Sequence, residues 1–373
     1  MIPSTRPTVA EIDLNAIAFN LERVRKEVGE GVLVMAVVKA NAYGHGMTEV
    51  ARYLERRRVD YFGVAFPEEG ATLRRAGIRK PIHVFTLPFP SQARLYAEHR
   101  LEATVASARD VRLLDHAAGL RSRRVAVHVK VETGMNRIGV RRESLPSLIR
   151  TLQRSRHLDV RGMFTHFATA EVRGDSFTRM QLEEFDGALS TALRLGLDVP
   201  IVHCANSAAI LNYPQSHYSM VRPGLMLYGY SPSPTSPRRI SLKPAMSLKT
   251  AIAFVKRIEA GESVSYGRRF IARRGTTIAT LPLGYADGFS RMLTGKAEVL
   301  IGGGRYPVVG TICMDQCMAA CGDSTVGAGD EAVLIGKQGK ELITAWDWAK
   351  RLGTVPYEVC CAISSRVPRV YIN

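Results

Sequence analysis

Apolar and polar residues alternate along the first two thirds of this chain in the manner of successive strands and helices. Eight short apolar runs predict strands over residues 32–38, 61–66, 82–86, 102–105, 125–131, 160–164, 200–204 and 220–227. Between most of them apolar residues recur at helical spacing, as in residues 14–28, 47–58, 107–118 and 178–195. This alternation is typical of a TIM-type (β/α)8 barrel. A doubly wound sheet would have fewer units and a glycine-rich dinucleotide motif after its first strand, which this sequence lacks.

Two segments fall outside the alternation. Residues 9–14 form a short alternating strand pattern ahead of the series, and residues 231–237 contain only Ser, Pro and Thr, which favour neither a helix nor a central strand. After this stretch the pattern changes to strands and turns, beginning with a strand predicted over residues 246–258 and including one short helix near residues 346–352. We therefore predict a barrel over residues 1–230, a linker over 231–237 and a mostly β domain over 238–373, with residues near 8–14 as a candidate addition to the β domain.

Composition narrows the class of protein. The net charge of +17 comes from 51 Lys and Arg against 34 Asp and Glu, but the basic residues are scattered and not interleaved with aromatic ones, so no nucleic-acid partner is predicted. No apolar run has the length of a signal peptide or a membrane span, which predicts a soluble, cytoplasmic protein without a membrane partner. The six cysteines are expected to be free thiols, and the spacing of Cys313, Cys317 and Cys321 lacks the paired form of a metal site, so no metal is predicted.

Lys39 is the first candidate for chemistry. It ends the apolar run 32–38, and the C-terminal ends of barrel strands are where such folds place their active sites. Desolvation there would favour the neutral amine, which can form a Schiff base or accept a proton. The structural alternative is a lysine that caps a strand and extends to water.

Further polar residues follow other predicted strands. They are Lys130, Arg137, His166, Asn206, Ser207 and Arg222. Each has a structural explanation when taken alone; Ser207, for example, could cap a helix starting at Ala208. Together they form a cation-rich rim that suits an anion, and Ser207 with the backbone N–H groups near Gly224 suits a phosphate.

A phosphate site beside a reactive lysine indicates pyridoxal 5'-phosphate. Tyr43, four residues after Lys39, could reach the same phosphate. Arginine as the partner of the pyridine nitrogen would restrain carbanion stabilisation, which suits an enzyme that only returns a proton to Cα.

These residues lie in stretches that resemble the alanine racemases, which are pyridoxal-phosphate enzymes built from a barrel and a β domain. The first stretch reads Ala36-Val-Val-Lys-Ala-Asn-Ala-Tyr-Gly-His-Gly46. The others are residues 131–139, 165–168, 205–207, 222–224, 264–267, 281–288, 313–315, 355–358 and 366–369. They follow the family's order over nearly the whole chain.

The resemblance implies specific roles. Lys39 corresponds to the cofactor-binding lysine and one catalytic base, and Tyr266 to the second base on the opposite face of Cα. Arg222 corresponds to the partner of the pyridine nitrogen and Arg137 to a residue between the cofactor hydroxyl and the substrate carboxylate. Other residues correspond to cofactor-binding positions: His166 and Asn206 support the cofactor, and the phosphate site comprises Tyr43, Ser207, Gly224, Leu225 and Tyr357. Met314 corresponds to a backbone donor for the substrate carboxylate, and Lys130 to a lysine that is often carbamylated. Tyr285 and Tyr357 correspond to the active-site gate.

The resemblance also implies a head-to-tail homodimer with shared active sites, and a role in supplying D-alanine for cell-wall peptidoglycan. Thr311 departs from the pattern, since many members carry arginine there, near the access corridor. Three alternatives remain open: a broad-specificity amino-acid racemase of the same fold, a non-catalytic barrel protein that binds the cofactor, and a decarboxylase of the same barrel class. The last would want an acid in place of Arg222, and the second would lack the domain that carries Tyr266.

Overall fold

A computed structural model describes residues 5–232 and 240–373, so positions 233–237 of the predicted linker lie outside the described residues. The chain divides into two compact units. The barrel unit comprises Ile17–Ala42 and Met47–Lys243, and the β unit comprises the described residues up to Ala16 together with Tyr43–Gly46 and Pro244–Asn373.

The described part of the barrel unit contains eight parallel strands in two sheets of four. They are Leu33–Val37, Tyr61–Val64, Ile82–Val84, Ala103–Val105, Val125–Lys130, Leu158–Phe164, Ile201–His203 and Met220–Val221. Parallel bridges from His83 to Glu102 and from Asn206 to Arg222 join the two sheets on both sides. The strands therefore close into the predicted (β/α)8 barrel, with their C-terminal ends at one rim.

Helices follow most strands of the barrel, and some of them begin at residues whose side chains cap the helix. They are Leu14–Val28, Met47–Arg56, Pro67–Arg75, Ala93–Glu98, Ala108–Gly119, Leu145–Arg154, Ser176–Arg194 and Ser207–Asn212. Ser107 and Asp175 cap two of these helices, because their side chains accept from the backbone N–H groups of Asp110 and Thr178. The helical spacing recognised from the sequence is confirmed where Ile17, Leu21 and Val24 form a fully buried face of the first helix.

The β unit is built around a ten-stranded sheet among its described residues. In spatial order the strands are Phe254–Ile258, Thr276–Leu281, Cys317–Gly322, Gly304–Val309, Glu298–Ile301, Glu331–Gln338, Met246–Ala251, Val9–Asp13 and Arg369–Ile372, with Glu341–Ile343 pairing beside Glu331–Gln338. Val9–Asp13 pairs antiparallel with Met246–Ala251 and parallel with Arg369–Ile372. The β unit also contains a two-stranded pair, Ser263–Val264 with Phe270–Ile271, and the helices Ala345–Leu352 and Pro356–Ala362.

Short 3-10 helices occur in both units. Those of the barrel unit are Pro214–Ser216 and Leu225–Tyr228, and those of the β unit are Tyr266–Arg268, Tyr285–Asp287 and Arg291–Leu293.

Three elements differ from the sequence prediction. The last barrel strand ends at Val221, not near residue 227, because Pro223 has no N–H to donate and the chain turns into the 3-10 helix Leu225–Tyr228. The strand predicted over residues 246–258 is two strands, Met246–Ala251 and Phe254–Ile258. The helix Pro356–Ala362 was not predicted, although a proline at the first helical position is a typical start signal.

Candidate active site

The backbone after Lys39 forms an unusual turn. The residues from Ala40 to Tyr43 have φ between 52° and 55°, the left-handed region that non-glycine residues rarely adopt. Each such residue costs roughly 1–2 kcal/mol relative to the right-handed conformation. A run of them persists only where its surroundings hold it, and such strain is concentrated at functional sites. Lys39 itself is half-buried at the start of this turn.

Glu69 clamps the turn to the neighbouring strand. One carboxylate oxygen accepts from the backbone N–H of Ala40 at 2.7 Å, and the other accepts from Ala65 at 2.8 Å and Phe66 at 3.2 Å. Glu69 lies in the first turn of the helix Pro67–Arg75, where a negative charge is also favoured by the helix dipole. The carboxylate therefore ties the backbone beside Lys39 to the end of the adjacent barrel strand.

Replacing Glu69 with glutamine is expected to loosen this clamp. Glutamine has one acceptor oxygen, so its amide donor would face a backbone N–H on one side, and we expect the free energy of unfolding to fall by about 1–3 kcal/mol. Urea unfolding followed by circular dichroism measures the change. Glu68→Gln is the matched control. The exposed Glu68 side chain accepts only from the Gln92 amide, at 2.7 Å, among the side-chain hydrogen bonds described, so the substitution should shift stability by less than about 0.5 kcal/mol. Equal losses in both variants would contradict a clamp at Glu69.

Arg222 lies at the centre of the rim and is only 4% exposed. Its guanidinium donates to the Thr165 and Cys204 carbonyl oxygens, both at 2.9 Å, to His203 Nδ1 at 3.0 Å and to His166 Nδ1 at 3.2 Å. Burial lowers the pKa of Arg222 to about 10, so it remains a cation at neutral pH. A guanidinium only donates, and this one is fixed in position by its neighbours.

His166 and Lys130 flank this cation. Burial, reinforced by the charge of Arg222, holds the pKa of His166 well below its usual value, so its imidazole is neutral. Lys130 donates to the Val131 carbonyl at 2.7 Å and contacts the Thr165 hydroxyl at 3.4 Å. Burial lowers the pKa of Lys130 to about 7, and the charges of Arg222 and Arg137 add to this effect although Glu132 opposes it. Part of the Lys130 population is therefore a neutral, nucleophilic amine near pH 7.

The predicted phosphate-binding segments of the barrel adjoin one another. The Ser207 hydroxyl accepts from the backbone N–H groups of Gly224 at 3.0 Å and Met226 at 3.3 Å, which brings Leu225 alongside. Asn206 caps the helix Ser207–Asn212 through its side-chain oxygen. The structural alternative for Ser207, a cap of a helix starting at Ala208, is therefore wrong, because the helix starts one residue earlier and Asn206 caps it.

The remaining predicted residues belong to the β unit. The rings of Tyr43 and Tyr357 meet edge to face with centroids 6.3 Å apart, and burial, with the nearby Cys361 and Tyr357, raises the pKa of Tyr43. Tyr285 donates its backbone N–H to the Cys313 carbonyl at 3.0 Å, which places it beside Met314.

Tyr266 is held by its backbone while its side chain is exposed. Its carbonyl accepts from the Thr311 hydroxyl at 2.7 Å, and the preceding residue, Ser265, has a left-handed φ of 65° and donates its hydroxyl to the Thr311 carbonyl at 2.6 Å. Tyr266 is 74% exposed. Buried Thr311 thus positions the Tyr266 backbone, a contact that sequence reasoning did not foresee.

The barrel residues provide a donor set that fits pyridoxal phosphate. Lys39 lies at a strand end, and the buried guanidinium of Arg222, which can only donate, lies at the same rim. The Ser207 hydroxyl adjoins the backbone N–H groups of Gly224 and Met226. Lys39, Lys130, Arg137, His166 and Arg222 are also coupled electrostatically, since the four cations together lower the pKa of His166. Arg137 itself is exposed at this rim.

Two family descriptions cover the chain. "Alanine racemase, N-terminal domain" matches residues 12–232, and "Alanine racemase, C-terminal domain" matches residues 245–371. The chain belongs to the alanine racemase family. This family is pyridoxal-phosphate-dependent, in agreement with the cofactor predicted from the sequence.

Named alanine racemases match over nearly their full length. The alanine racemase of Halothermothrix orenii is 42% identical over 370 residues, covering 99% of this chain and 98% of the relative. That of Symbiobacterium thermophilum is 44% identical over 367 residues, covering 98% and 97%. The structure of alanine racemase from Clostridium difficile aligns with a TM-score of 0.93 at 40% identity, covering 99% of this chain and 96% of that one. The Bacillus anthracis enzyme with bound L-Ala-P aligns with a TM-score of 0.93 at 38% identity, covering 100% and 96%.

All six cysteines of this alanine racemase family member are free, as expected from the sequence. Within residues 5–232 and 240–373, no helix combines the length and apolar character needed to cross a bilayer.

Proposed function

We propose that this protein interconverts L-alanine and D-alanine by two-base transfer of the α-proton, with pyridoxal phosphate as cofactor. The observation that carries the proposal is the rim itself: Lys39 on a strained turn at a strand end, with buried, donor-only Arg222 at the same barrel rim. The names of its full-length relatives support alanine as the substrate.

The residues then have distinct tasks. The cofactor, when bound, withdraws electrons from the substrate's Cα and so stabilises the carbanion. Lys39 holds the cofactor at rest and moves the proton on one face of Cα, while Tyr266 does so on the other face. Arg222 donates to the pyridine nitrogen without transferring its proton, because its pKa of about 10 is far above that of a pyridine.

Other predicted roles concern binding. Ser207, Gly224 and Leu225, with Tyr43 and Tyr357, hold the phosphate. His166 and Asn206 support the cofactor from the barrel. Arg137 and the Met314 backbone orient the substrate carboxylate. The neutral amine of Lys130 can add CO₂ and release a proton to form a carbamate, which would orient Arg137.

We further propose a head-to-tail homodimer in which Tyr266, Tyr285 and Met314 complete the partner's site. Their side chains are 74%, 40% and 52% exposed, as residues that reach across an interface would be in an isolated chain. The protein would act in the cytoplasm and supply D-alanine for peptidoglycan, without a nucleic-acid or membrane partner. The division into residues 1–230, 231–237 and 238–373 stays a prediction.

A racemisation assay over a panel of amino acids tests the function. Purified protein loaded with pyridoxal phosphate should racemise alanine with a kcat/KM at least about tenfold above that for serine, lysine or arginine, since a racemase specific for alanine must discriminate against larger side chains. Comparable rates for lysine or arginine would identify a broad-specificity racemase instead. A yellow protein that racemises none of them would be a non-catalytic cofactor-binding protein.

A further inference from the structure

Three histidines lie in barrel strands whose other residues are apolar except for Lys130, and the proposed reaction uses none of the three. They are His83 in Ile82–Val84, His128 in Val125–Lys130 and His203 in Ile201–His203, and all are fully buried. A buried imidazole is costly unless its nitrogens are hydrogen-bonded. Their partners therefore indicate what they do.

His203 and His128 form a continuous chain of hydrogen bonds from Arg222 to Glu102. Arg222 Nη1 lies 3.0 Å from His203 Nδ1, and His203 Nε2 lies 3.0 Å from His128 Nδ1. His128 Nε2 lies 2.8 Å from a carboxylate oxygen of Glu102. The path crosses the barrel interior between strands that are far apart in sequence.

The protons in this chain can point in one direction only. Since a guanidinium only donates, His203 must accept at Nδ1 and carry its proton on Nε2. His128 then accepts at Nδ1 and carries its own proton on Nε2, which it donates to Glu102. A carboxylate only accepts, so the two ends of the chain require the same tautomers. Burial, with the charge of Arg222, holds the pKa of His203 well below its usual value and keeps it neutral.

The barrel makes room for this arrangement. A Cβ on Gly162 would lie 2.2 Å from His128 Nδ1, so any other residue at that position would displace the imidazole. The His203 ring stacks on Phe164 with centroids 4.8 Å apart and an interplanar angle of 4°. Both rings are therefore fixed by packing as well as by hydrogen bonds.

The hydrogen-bond chain also connects the buried positive charge of Arg222 to a negative charge. The described hydrogen-bond partners of buried Arg222 are two carbonyls and two imidazoles, none of them an anion. Buried cations are normally paired with a counter-charge. The hydrogen-bond chain that starts at Arg222 and passes through His203 and His128 ends at the carboxylate of Glu102, which is therefore the candidate counter-charge.

We propose that His203, His128 and Glu102 are positioning residues for Arg222: the two imidazoles orient its guanidinium, and Glu102 supplies the counter-charge through them. This inference rests on the proposed function only in that Arg222 then faces the pyridine nitrogen. The hydrogen-bond chain and its histidine tautomers are present in the protein whether or not it catalyses the proposed reaction.

The Glu102→Gln variant tests the proposal, because it keeps the shape and an acceptor oxygen but removes the charge. His83→Gln is the matched control. His83 packs against His128 with ring centroids 4.3 Å apart, but its hydrogen bond is to the Thr104 hydroxyl, so it is not part of the hydrogen-bond chain from Arg222 to Glu102. Two-bond 15N–1H NMR spectra of the cofactor-free wild-type protein should show both His128 and His203 neutral and protonated on Nε2. Glu102→Gln should move the Nε2–H signals of both by altering their hydrogen bonds. His83→Gln removes a ring whose centroid lies 5.8 Å from that of His203, so the His203 signal should shift only by the lost ring current, and both imidazoles should stay protonated on Nε2.

In the loaded enzyme, Glu102→Gln should lower kcat for alanine by about tenfold with little change in KM, and should shift the visible absorption band of the bound cofactor. His83→Gln should do neither. A proton on Nδ1 of either His128 or His203 in the wild type would overturn the proposal, as would an unchanged band and kcat in Glu102→Gln.

His83, Glu102 and His128 also have the spacing of a metal-ligand group, the one such group among the described residues. Because the proposal assigns His128 and Glu102 to Arg222 and not to a metal, Zn²⁺ titrated into the cofactor-free protein should leave the His128 signals unchanged. Stoichiometric loss of those signals would assign the cluster to a metal and overturn the proposal. If the wild type racemises nothing yet shows the tautomers, the proposed function fails and the positioning of Arg222 stands.

Discussion

Lys39→Ala should yield a colourless protein with no measurable racemisation, a loss of at least about 10³-fold. Lys39 is expected to hold the cofactor and to move the proton on one face of Cα, so its removal abolishes both binding and chemistry. Absorbance between 400 and 450 nm and a coupled D-alanine assay measure the two effects. Borohydride treatment of the wild type followed by peptide mass analysis should place the retained cofactor on the peptide containing Lys39.

Lys26→Ala is the control for this substitution. Lys26 is an exposed lysine in the last turn of the first helix, and its removal should leave colour and rate unchanged. A yellow, active Lys39→Ala protein, or a cofactor trapped on another lysine, would show that the strained turn serves some other purpose.

Tyr266→Phe should impair exchange of the α-proton with solvent more strongly for L-alanine than for D-alanine, by about 10²- to 10⁴-fold. The two enantiomers have equal free energy, so kcat/KM for racemisation must fall equally in both directions and cannot reveal which face Tyr266 serves. Exchange can, because the remaining base still removes and returns the proton on its own face. Deuterium incorporation from D₂O into each enantiomer, followed by NMR, separates the two.

Tyr306→Phe provides the comparison. Its hydroxyl contacts the Ser324 hydroxyl at 3.0 Å, outside the predicted site, and exchange with both enantiomers should stay at the wild-type rate. Equal losses of exchange for L- and D-alanine in Tyr266→Phe would contradict its assignment as the second of two bases.

The barrel and its rim could be predicted because each depends on residues adjacent in sequence. Apolar runs mark the strands, and the polar residues that follow them, such as Lys39 and His166, must meet at one edge once the strands are parallel. The shorter last strand could also have been read from Pro223, which cannot continue a ladder.

The contacts that hold the rim could not be predicted in the same way. Asparagine tolerates the left-handed region, so Asn41 was compatible with the turn, but Ala40 and Ala42 gave no sign of it because glycine is the usual choice there. The turn is held by distant groups such as Glu69. The path from Arg222 to Glu102 joins residues that no spacing rule relates. Its one signal in the sequence was a histidine within each of two apolar strands, at His128 and His203.

The left-handed turn also bears on the thermostability of this enzyme. Glycine has no Cβ and would adopt the conformation of Ala40 or Ala42 without steric cost, although it would add about 0.5–1 kcal/mol of conformational entropy to the unfolded chain. Substitution of either residue by glycine would thus remove the steric cost of the left-handed turn and also let the segment leave that conformation more readily. The methyl groups of Ala40 and Ala42 therefore have two opposed effects: they raise the free energy of the left-handed turn, and they reduce the number of other conformations open to the backbone that carries the lysine.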